Sequence, residues 1–311
     1  DLERIRVRYL GRKGELTLIL RGLKDIPQEE RPKVGKRANE LKQRLAQMLE
    51  DRISVMGEKP KEQMDLSLPG RRVSTGRKHP ITIVEEELVD IFVRLGFSLA
   101  YGPDVETEFN NFEALNIPAD HPARDSHDTF YIRDSLLLRT HTSPVQVRVM
   151  MSRKPPLRIV SPGRCYRFDD FDPTHSPVFH QMEGLWVDRD VSLGDLLGTL
   201  ELFAQKMFGE DTRAKFLPHY FPFTEPSLEM HISCPFCKGS GCRVCKDSGW
   251  VEILGCGMVH PAVFKMVGYE PNEYTGFAFG MGLERIAMLK FGIRDMRMFF
   301  ENDTRFLEQF V

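Results

Sequence analysis

The sequence predicts an α+β protein preceded by a helical arm, and three stretches carry that expectation. Ser161 to Gly184 (SPGRCYRFDDFDPTHSPVFHQMEG) has two arms around an acidic loop broken by Pro173 and Pro177, the pattern of two strands joined as a hairpin. Thr275 to Leu289 (TGFAFGMGLERIAML) is a glycine-broken apolar strand that runs directly into a helix. Val34, Ala38, Leu41, Leu45 and Met48 recur at four- and three-residue intervals with Lys and Arg between them, a helical stripe of coiled-coil type.

The composition bounds the class. At 311 residues, 41% hydrophobic and 28% charged, the chain has room for one sizeable domain and a smaller one. No apolar run approaches the roughly 20 residues that span a bilayer. No charged, apolar leader opens the sequence, so the expectation is a cytoplasmic protein; the chain begins at Asp1 in mid-pattern, as an arm truncated at its start would. Charge is unevenly placed: residues 1 to 78 hold 20 Lys and Arg against 12 Asp and Glu, and the remainder holds 23 against 33. A basic arm on an acidic body points to the arm as the part that meets a polyanion, although a solvated helical face gives the same composition.

Taken in order, residues 1–57 form the basic arm. Leu10 to Leu20 reads as a helix end and a turn, and the stripe that follows needs an antiparallel mate, for which IRVRYL before Gly11 is the candidate. Residues 58–78 hold Pro60, Pro69, Gly70 and Gly76 without a period and read as a linker. Residues 79–311 form the body. His79-Pro80 opens a helix with Ile83, Val84, Leu88, Ile91, Phe92 and Leu95 on one face, ending at Gly96. Phe97 to Glu106 follows as a strand containing Pro103, then a polar stretch from Asn110 to Arg133 in which His121 and His127 lack metal-ligand spacing. Leu136 to Arg139 is a strand leading to His141 and Ser143. No Gly-x-Ser-x-Gly surrounds Ser143 and Pro144 starts a helix there, so hydrogen bonding to a substrate is favoured over nucleophilic attack. Leu193 to Phe208 is an amphipathic helix.

The hairpin and the strand-to-helix switch together suggest a nucleotide site. Arg164 and Arg167 lie on the first arm of the hairpin, and Phe179, His180, Gln181 and Glu183 on the second; an arginine fork for a phosphate and a ring for a base are what ATP binding requires. An arginine-rich hairpin is also what a solvated sheet edge looks like. Arg285 at the second stretch supplies the other cation. Arg167, Arg285 after Gly-Met-Gly-Leu-Glu, and Gly102-Pro103 resemble motifs 2, 3 and 1 of the class II aminoacyl-tRNA synthetases. HTSPVQ (141–146), FHQMEG (179–184), FPFTEPS (221–227) and GCGMVHP (255–261) resemble, more narrowly, the alpha-subunit family of bacterial phenylalanyl-tRNA synthetases. The resemblance covers nearly the whole chain, in the family's order.

The resemblance implies a class II-like antiparallel sheet flanked by helices, an N-terminal coiled-coil arm that reaches tRNA(Phe), and a partner beta subunit in an α2β2 heterotetramer, with the helix after His79 as a candidate for subunit contact. It implies that L-phenylalanine is activated by ATP and passed to the tRNA. By its motifs, Arg167 clamps the α-phosphate and Arg285 the terminal phosphate, Phe179 stacks on adenine, and Asp169 stands where many relatives have Glu. His141, Ser143, Gln181 and Glu183 hold the amino acid's polar groups, Phe221 and Phe223 wall its ring, Ala278 lies at the floor of the pocket, and Glu225 binds Mg2+. Two rings on one side of a strand are otherwise ordinary core. A non-catalytic synthetase-like RNA-binding protein is the alternative, and it would have lost an arginine or the amino-acid contacts; an adenylating ligase without tRNA is a second, against which the basic arm counts.

One insert stands apart. CPFCKGSG (234–241) and CRVCKDSG (242–249) form a tandem eight-residue repeat, and Cys234, Cys237, Cys242 and Cys245 are four thiols in twelve residues. In a chain with no leader that pattern favours a structural Zn2+ over disulfides, with a metal-free hairpin as the alternative. Cys165 and Cys256 read as small buried residues.

Overall fold

In the computed structural model, residues 2–56, 70, 76–121 and 129–310 are described. Most of the expected linker, 58–78, and His127 therefore lie outside the described residues. The chain divides into two compact units, Asp1–Ser74 and Thr75–Val311.

The described part of the first unit, residues 2–56, is largely helical. Helix α1 (Leu2–Leu10) contains IRVRYL and packs on α3 (Arg31–Met56), as its role of mate requires. Between them a second helix, α2 (Glu15–Arg21), also packs on α3, where the sequence suggested only a turn. The stripe on α3 is less buried than its period implies. Ala38 is buried, but the other buried residue is Leu49, and Leu41 and Met48 are 46% and 63% exposed.

In the second unit, helix α4 (Pro80–Arg94) starts where His79 caps it, the ring Nδ1 accepting from the Ile81 amide at 3.2 Å, with Pro80 in the first turn where its missing N–H costs nothing. Its face of Ile81, Val84, Leu88, Ile91 and Phe92 is buried inside this chain, so that face is internal core and not a subunit contact. Strand β1 is only Ser98–Leu99, and β2 is Val105–Thr107; the single strand expected over Phe97–Glu106 is split by a turn that contains Pro103. Helix α5 (Glu108–Asn111), β3 (Tyr131–Arg133) and β4 (Leu136–Leu138) follow, and β2-β4-β3 form a small antiparallel sheet. Helix α6 (Ser143–Ser152) then returns the chain to the main sheet.

The hairpin is β5 (Leu157–Tyr166) and β6 (Val178–Asp188), paired antiparallel from Leu157↔Val187 to Tyr166↔Val178. Helix α7 (Leu193–Phe208) carries a reciprocal cap between Ser192 and Asp195. Strands β7 (Ala214–Phe221), β8 (Thr224–Ser233) and β9 (Trp250–Val259), helix α8 (Pro261–Met266), strand β10 (Thr275–Gly282), helix α9 (Leu283–Phe291) and α10 (Thr304–Leu307) complete the unit. The seven-stranded sheet has the order β1-β5-β6-β10-β9-β8-β7. It is antiparallel except for β1, which runs parallel to β5. The one parallel pair arises because the chain between Leu99 and Leu157 makes a crossover through α6, and a crossover returns a strand in the same direction.

Helices cover both faces. On one face α4, α7 and α9 bury Phe92, Phe203 and Ile286 against Met182, Phe277 and Phe279 of the sheet, with Phe92 stacked on Phe203 at 5.5 Å and on Phe279 at 4.9 Å. Phe279 lies where a Cβ on Gly184 would stand 2.0 Å from its Cζ, so only glycine at 184 admits that ring. On the other face α6 and α8 bury Val147, Met150, Val263 and Phe264 against Ile159, Leu185 and Val187. The candidate site opens on this second face.

Candidate active site

Strand alternation brings the site together. On β6 Met182 points into the first core, while Gln181, Glu183 and Leu185 line a cavity of about 550 Å³ on the opposite face. On the neighbouring strand, Phe277 and Met281 belong to the first core, and Ala278 and Gly280 line the cavity. That places Ala278 on the face away from Phe277, as the sequence alternation requires. The start of α6 contributes His141, Ser143 and Gln146, and the turn between β7 and β8 contributes Phe221, Pro222 and Phe223. The Phe221 and Phe223 rings stack at 5.7 Å with 11° between their planes. Gly255 on β9 makes room for the Phe221 ring, since a Cβ there would stand 2.7 Å from the Phe221 Cζ.

Glu183 is the polar centre of the cavity. Ser143 Oγ donates to Glu183 Oε2 at 2.5 Å, Gln146 Nε2 donates to the same oxygen at 3.0 Å, and the Thr142 amide donates to Oε1 at 3.2 Å. Burial pushes its carboxyl up to about 7 against the pull of these donors. Ser143 is thus a donor to a carboxylate that Gln146 and the Thr142 amide also hold, which fits a role in orienting Glu183. His141 is buried, with Nε2 2.9 Å from the Asn111 carbonyl and its ring edge toward Phe223. Arg167 also lines the cavity; its Nε donates to the Thr140 carbonyl at 3.1 Å and its guanidinium lies 4.9 Å above the Phe179 ring.

Four of the expected residues lie outside the cavity wall. Phe179 and Asp169 are partly exposed at the end of the hairpin. Arg285 is exposed on the first turn of α9, and its Nε lies 3.5 Å from the Glu252 carbonyl. Glu225 is 75% exposed and its carboxylate is 3.2 Å from His260 Nε2, so the structure does not bring it to the cavity.

Other residues enter that sequence reasoning passed over. Glu229, His231 and Glu252 offer ligand atoms that lie within 4.8 Å of one another, and Glu229 and Glu252 line the cavity. The alternation of Glu229-Met230-His231-Ile232 on β8 was a usable signal. That of β9 was not, because a bulge opposite Met230 and His231 lets both Ile253 and Leu254 face the core and leaves Glu252 and Gly255 on the other face. Glu284, buried at the start of α9, accepts from the His180 amide at 2.9 Å and contacts its Nδ1 at 2.8 Å, tying the hairpin to the helix that carries Arg285. Arg139, also buried, donates to the Arg164 carbonyl at 2.7 Å and pairs with Asp104 at 3.1 Å, which links the hairpin to the Gly102-Pro103 turn.

Among the described residues there is a second cluster of metal-ligand type: the sulfurs of Cys234, Cys237, Cys242 and Cys245, all within 4.8 Å of one another at the closed end of the β8–β9 hairpin. All six cysteines are unbridged, and Cys165 and Cys256 are buried singly, with burial pushing both thiols up.

Comparison with known proteins fits this arrangement. Residues 63–310 match the family of tRNA synthetases class II core domain (F), and residues 1–64 match the aminoacyl tRNA synthetase class II N-terminal domain. The chain is 57% identical over 316 residues to the phenylalanine–tRNA ligase alpha subunit of Caldanaerobacter subterraneus subsp. tengcongensis, covering 100% of this chain and 93% of that one. It is 55% identical over 316 residues to the subunit of the same name from Syntrophotalea carbinolica, with the same coverage. Among solved structures, pyrrolysyl-tRNA synthetase from Desulfitobacterium hafniense shares the fold, with a TM-score of 0.56, 14% identity, and coverage of 86% of this chain and 84% of that one. With class II core and N-terminal domains matched along its length and relatives this similar across all of it, the chain belongs to the phenylalanine–tRNA ligase alpha subunits of the class II aminoacyl-tRNA synthetases.

Proposed function

We infer that the chain is the catalytic alpha subunit of a phenylalanine–tRNA ligase, which activates L-phenylalanine with ATP and transfers it to tRNA(Phe). The observation that carries this is a single cavity in which a stacked aromatic pair, Phe221 and Phe223, faces a buried carboxylate, Glu183, with Arg167 on the same wall. An amino acid with an aromatic side chain fits those three features: ring edge against the faces of the aromatic pair, ammonium at Glu183, carboxylate toward the cation. Edge contacts between such rings contribute about 0.5–1.5 kcal/mol beyond area burial.

The reaction needs no side-chain nucleophile. The amino-acid carboxylate attacks the α-phosphorus, pyrophosphate leaves, and the acyl group then passes to the terminal ribose of the tRNA. Arg167, oriented by its bond to the Thr140 carbonyl, offers its remaining N–H groups to the α-phosphate. Ser143 and Gln146 orient Glu183, which holds the ammonium; arrival of that charge favours the ionised carboxylate that burial disfavours. Gln181 and His141 complete the polar wall, and Arg285 meets the terminal phosphate from outside it. Phe179 and Asp169 remain the proposed adenine contacts at the hairpin end. Alignment and charge neutralisation are the whole of the catalysis.

Two divalent ions belong to this reading. Mg2+ suits Glu229, His231 and Glu252, whose grouping beside the cavity gives a hard cation two carboxylates, whereas Glu225 offers one exposed carboxylate already paired with His260. Glu229, His231 and Glu252 would hold that ion, and when bound it would supply positive charge to offset that of the phosphates. Zn2+ suits the four cysteine sulfurs and takes no part in the reaction.

The remaining proposals are a beta-subunit partner in an α2β2 assembly, a tRNA-binding role for the basic arm of residues 1–57, a body of residues 79–311 with its insert at 234–249, and a cytoplasmic location. Among the described residues no helix is long and apolar enough to cross a membrane. The test is phenylalanine-dependent pyrophosphate exchange, with and without the partner chain. Arg167→Ala should lower the exchange by about 100- to 1000-fold, the range seen for removal of one charge-stabilising donor. Exchange that does not depend on phenylalanine would refute the reading.

A further inference from the structure

We propose that the paired cysteine knuckles bind one zinc ion as a clasp that positions the phosphate end of the cavity and leaves its amino-acid end unaffected. This rests on the ligase reading above and deepens the zinc reading that accompanies it.

The sulfurs are spaced for a tetrahedral ion. Cys234 and Cys242 are 3.8 Å apart, Cys237 and Cys245 3.7 Å, and Cys242 and Cys245 3.7 Å. A regular tetrahedron with metal–sulfur bonds of about 2.3 Å has edges of about 3.8 Å. Backbone amides also point at the sulfurs: Gly241 N–H donates to Cys237 at 3.2 Å, Cys242 N–H to Cys245 at 3.1 Å, and Gly249 N–H to Cys245 at 3.3 Å. Donors converging on sulfur stabilise thiolates, the form that ligates metal. The two knuckles repeat the same backbone, each placing the lysine after its second cysteine in the left-handed region, Lys238 at φ 50° and Lys246 at φ 49°.

Two routes connect the clasp to Glu229, His231, Glu252 and Arg285. The first is the ladder: Cys234 N–H donates to the Gly249 carbonyl at 2.9 Å, Ser233 pairs with Trp250 and Ile232 with Val251, and the next pair is His231↔Glu252. The bulge lies immediately beyond that pair, so the β8–β9 ladder on the clasp side is short; β7 braces the β8 arm there, through Ala214↔Ile232 and Lys215↔His231, and the clasp ties β9 to it. The second route is Phe236, inside the first knuckle, whose ring edge lies 3.7 Å from the position of a Cβ on Gly292 at the end of α9. The first turn of that helix carries Arg285, whose Nε lies 3.5 Å from the Glu252 carbonyl. The amino-acid end of the same strands has its own ties: Ser227 Oγ accepts from the Phe221 amide at 3.0 Å and lies 2.7 Å from Thr224 Oγ1, while Thr224 pairs with Val259.

The experiment uses the chain purified with its partner subunit, without chelator or metal-affinity tag, and measures bound metal together with pyrophosphate exchange. The expected result is about one zinc per chain, lost in the Cys237→Ser/Cys242→Ser variant, with KM for ATP raised at least about fivefold and KM for phenylalanine within about twofold. Should the variant fail to assemble, stripping zinc from the assembled wild type with a chelator should give the same split, reversed by zinc and not by added magnesium. Active wild type without zinc, or with iron in its place, overturns the metal. Zinc present and removable with both KM values unchanged, or raised equally, overturns the positioning role. Wild type that holds zinc but shows no phenylalanine-dependent exchange refutes the ligase reading alone.

Discussion

Helix α4 buries six of its 15 residues, whereas α3 buries two of its 26. Both have apolar periodicity, so the pattern alone does not distinguish them. What differs is the surroundings: α4 lies between a seven-stranded sheet and two further helices, and α3 packs, among the described residues, on the short helices α1 and α2 and the turn Gly22–Asp25. Helical stability in proteins comes chiefly from such packing and less from propensity. The comparison teaches that the body closes its own core, while the arm leaves apolar and basic surface available to something else.

Breaking the core should give the largest effect. Phe92→Ala, which removes a ring stacked on Phe203 and Phe279, should lower the unfolding free energy by about 3–5 kcal/mol in chemical denaturation. Leu41→Ala on the arm should stay within about 0.5 kcal/mol, and a comparable loss there would mean that the arm is as fully packed as the body.

The cavity is the next test of how closed the body is. Ala278 lines it beside Gly280, and Ala278→Gly opens one methyl of space, worth about 1–3 kcal/mol. kcat/KM for para-chlorophenylalanine should rise at least about tenfold relative to phenylalanine. An unchanged ratio, with phenylalanine activated normally, would mean that Ala278 does not face the substrate ring.

A third effect depends on pH. Burial holds the Glu183 carboxyl at about 7, above its ordinary 4.5, so the folded chain binds that proton more tightly than the unfolded chain. Its contribution to stability is complete below the lower value and is lost as pH rises through the upper one. Wild type should therefore lose more unfolding free energy than Glu183→Gln between about pH 5 and about pH 8. Equal losses in the two proteins would show that another group titrates. The same ionisation should lower KM for phenylalanine as pH rises through that window.

The smallest change in the body should come from the arm. Lys33→Glu with Arg37→Glu reverses two exposed charges on α3. Aminoacylation should then show a raised KM for tRNA and a shallower salt dependence, because phosphate contacts are lost. Pyrophosphate exchange should not change; if it falls equally, the arm serves the body and not the tRNA.

Much of this was legible in the sequence where local chemistry and tertiary packing agree. The His79-Pro80 start places α4, the amphipathic pattern of Leu193 to Phe208 places α7, and Phe277-Ala278-Phe279 assigns its faces by alternation. The rest depended on long-range contacts. Phe97 to Glu106 has the composition of one strand, yet a Cβ on Gly102 would stand 2.7 Å from Val145, and the Asp104–Arg139 pair holds that turn beside β4. Glu252 was hidden by a bulge that only the partner strand reveals, and α2 by the glycines at 11 and 14 that flank its start.

The pairing of Ser233 with Trp250 has a consequence for how such chains can vary in length. The insert leaves and re-enters the sheet between hydrogen-bonded neighbours, so its two ends are already at turn distance whatever lies between them. Closing a longer flexible loop costs only about 0.6 kcal/mol for each doubling of its length, and a cross-link that shortens the effective loop removes much of even that. The junction is therefore a place where segments can be gained or lost without re-threading the sheet, and a knuckle pair whose four sulfurs converge makes a long insertion behave mechanically as a tight turn.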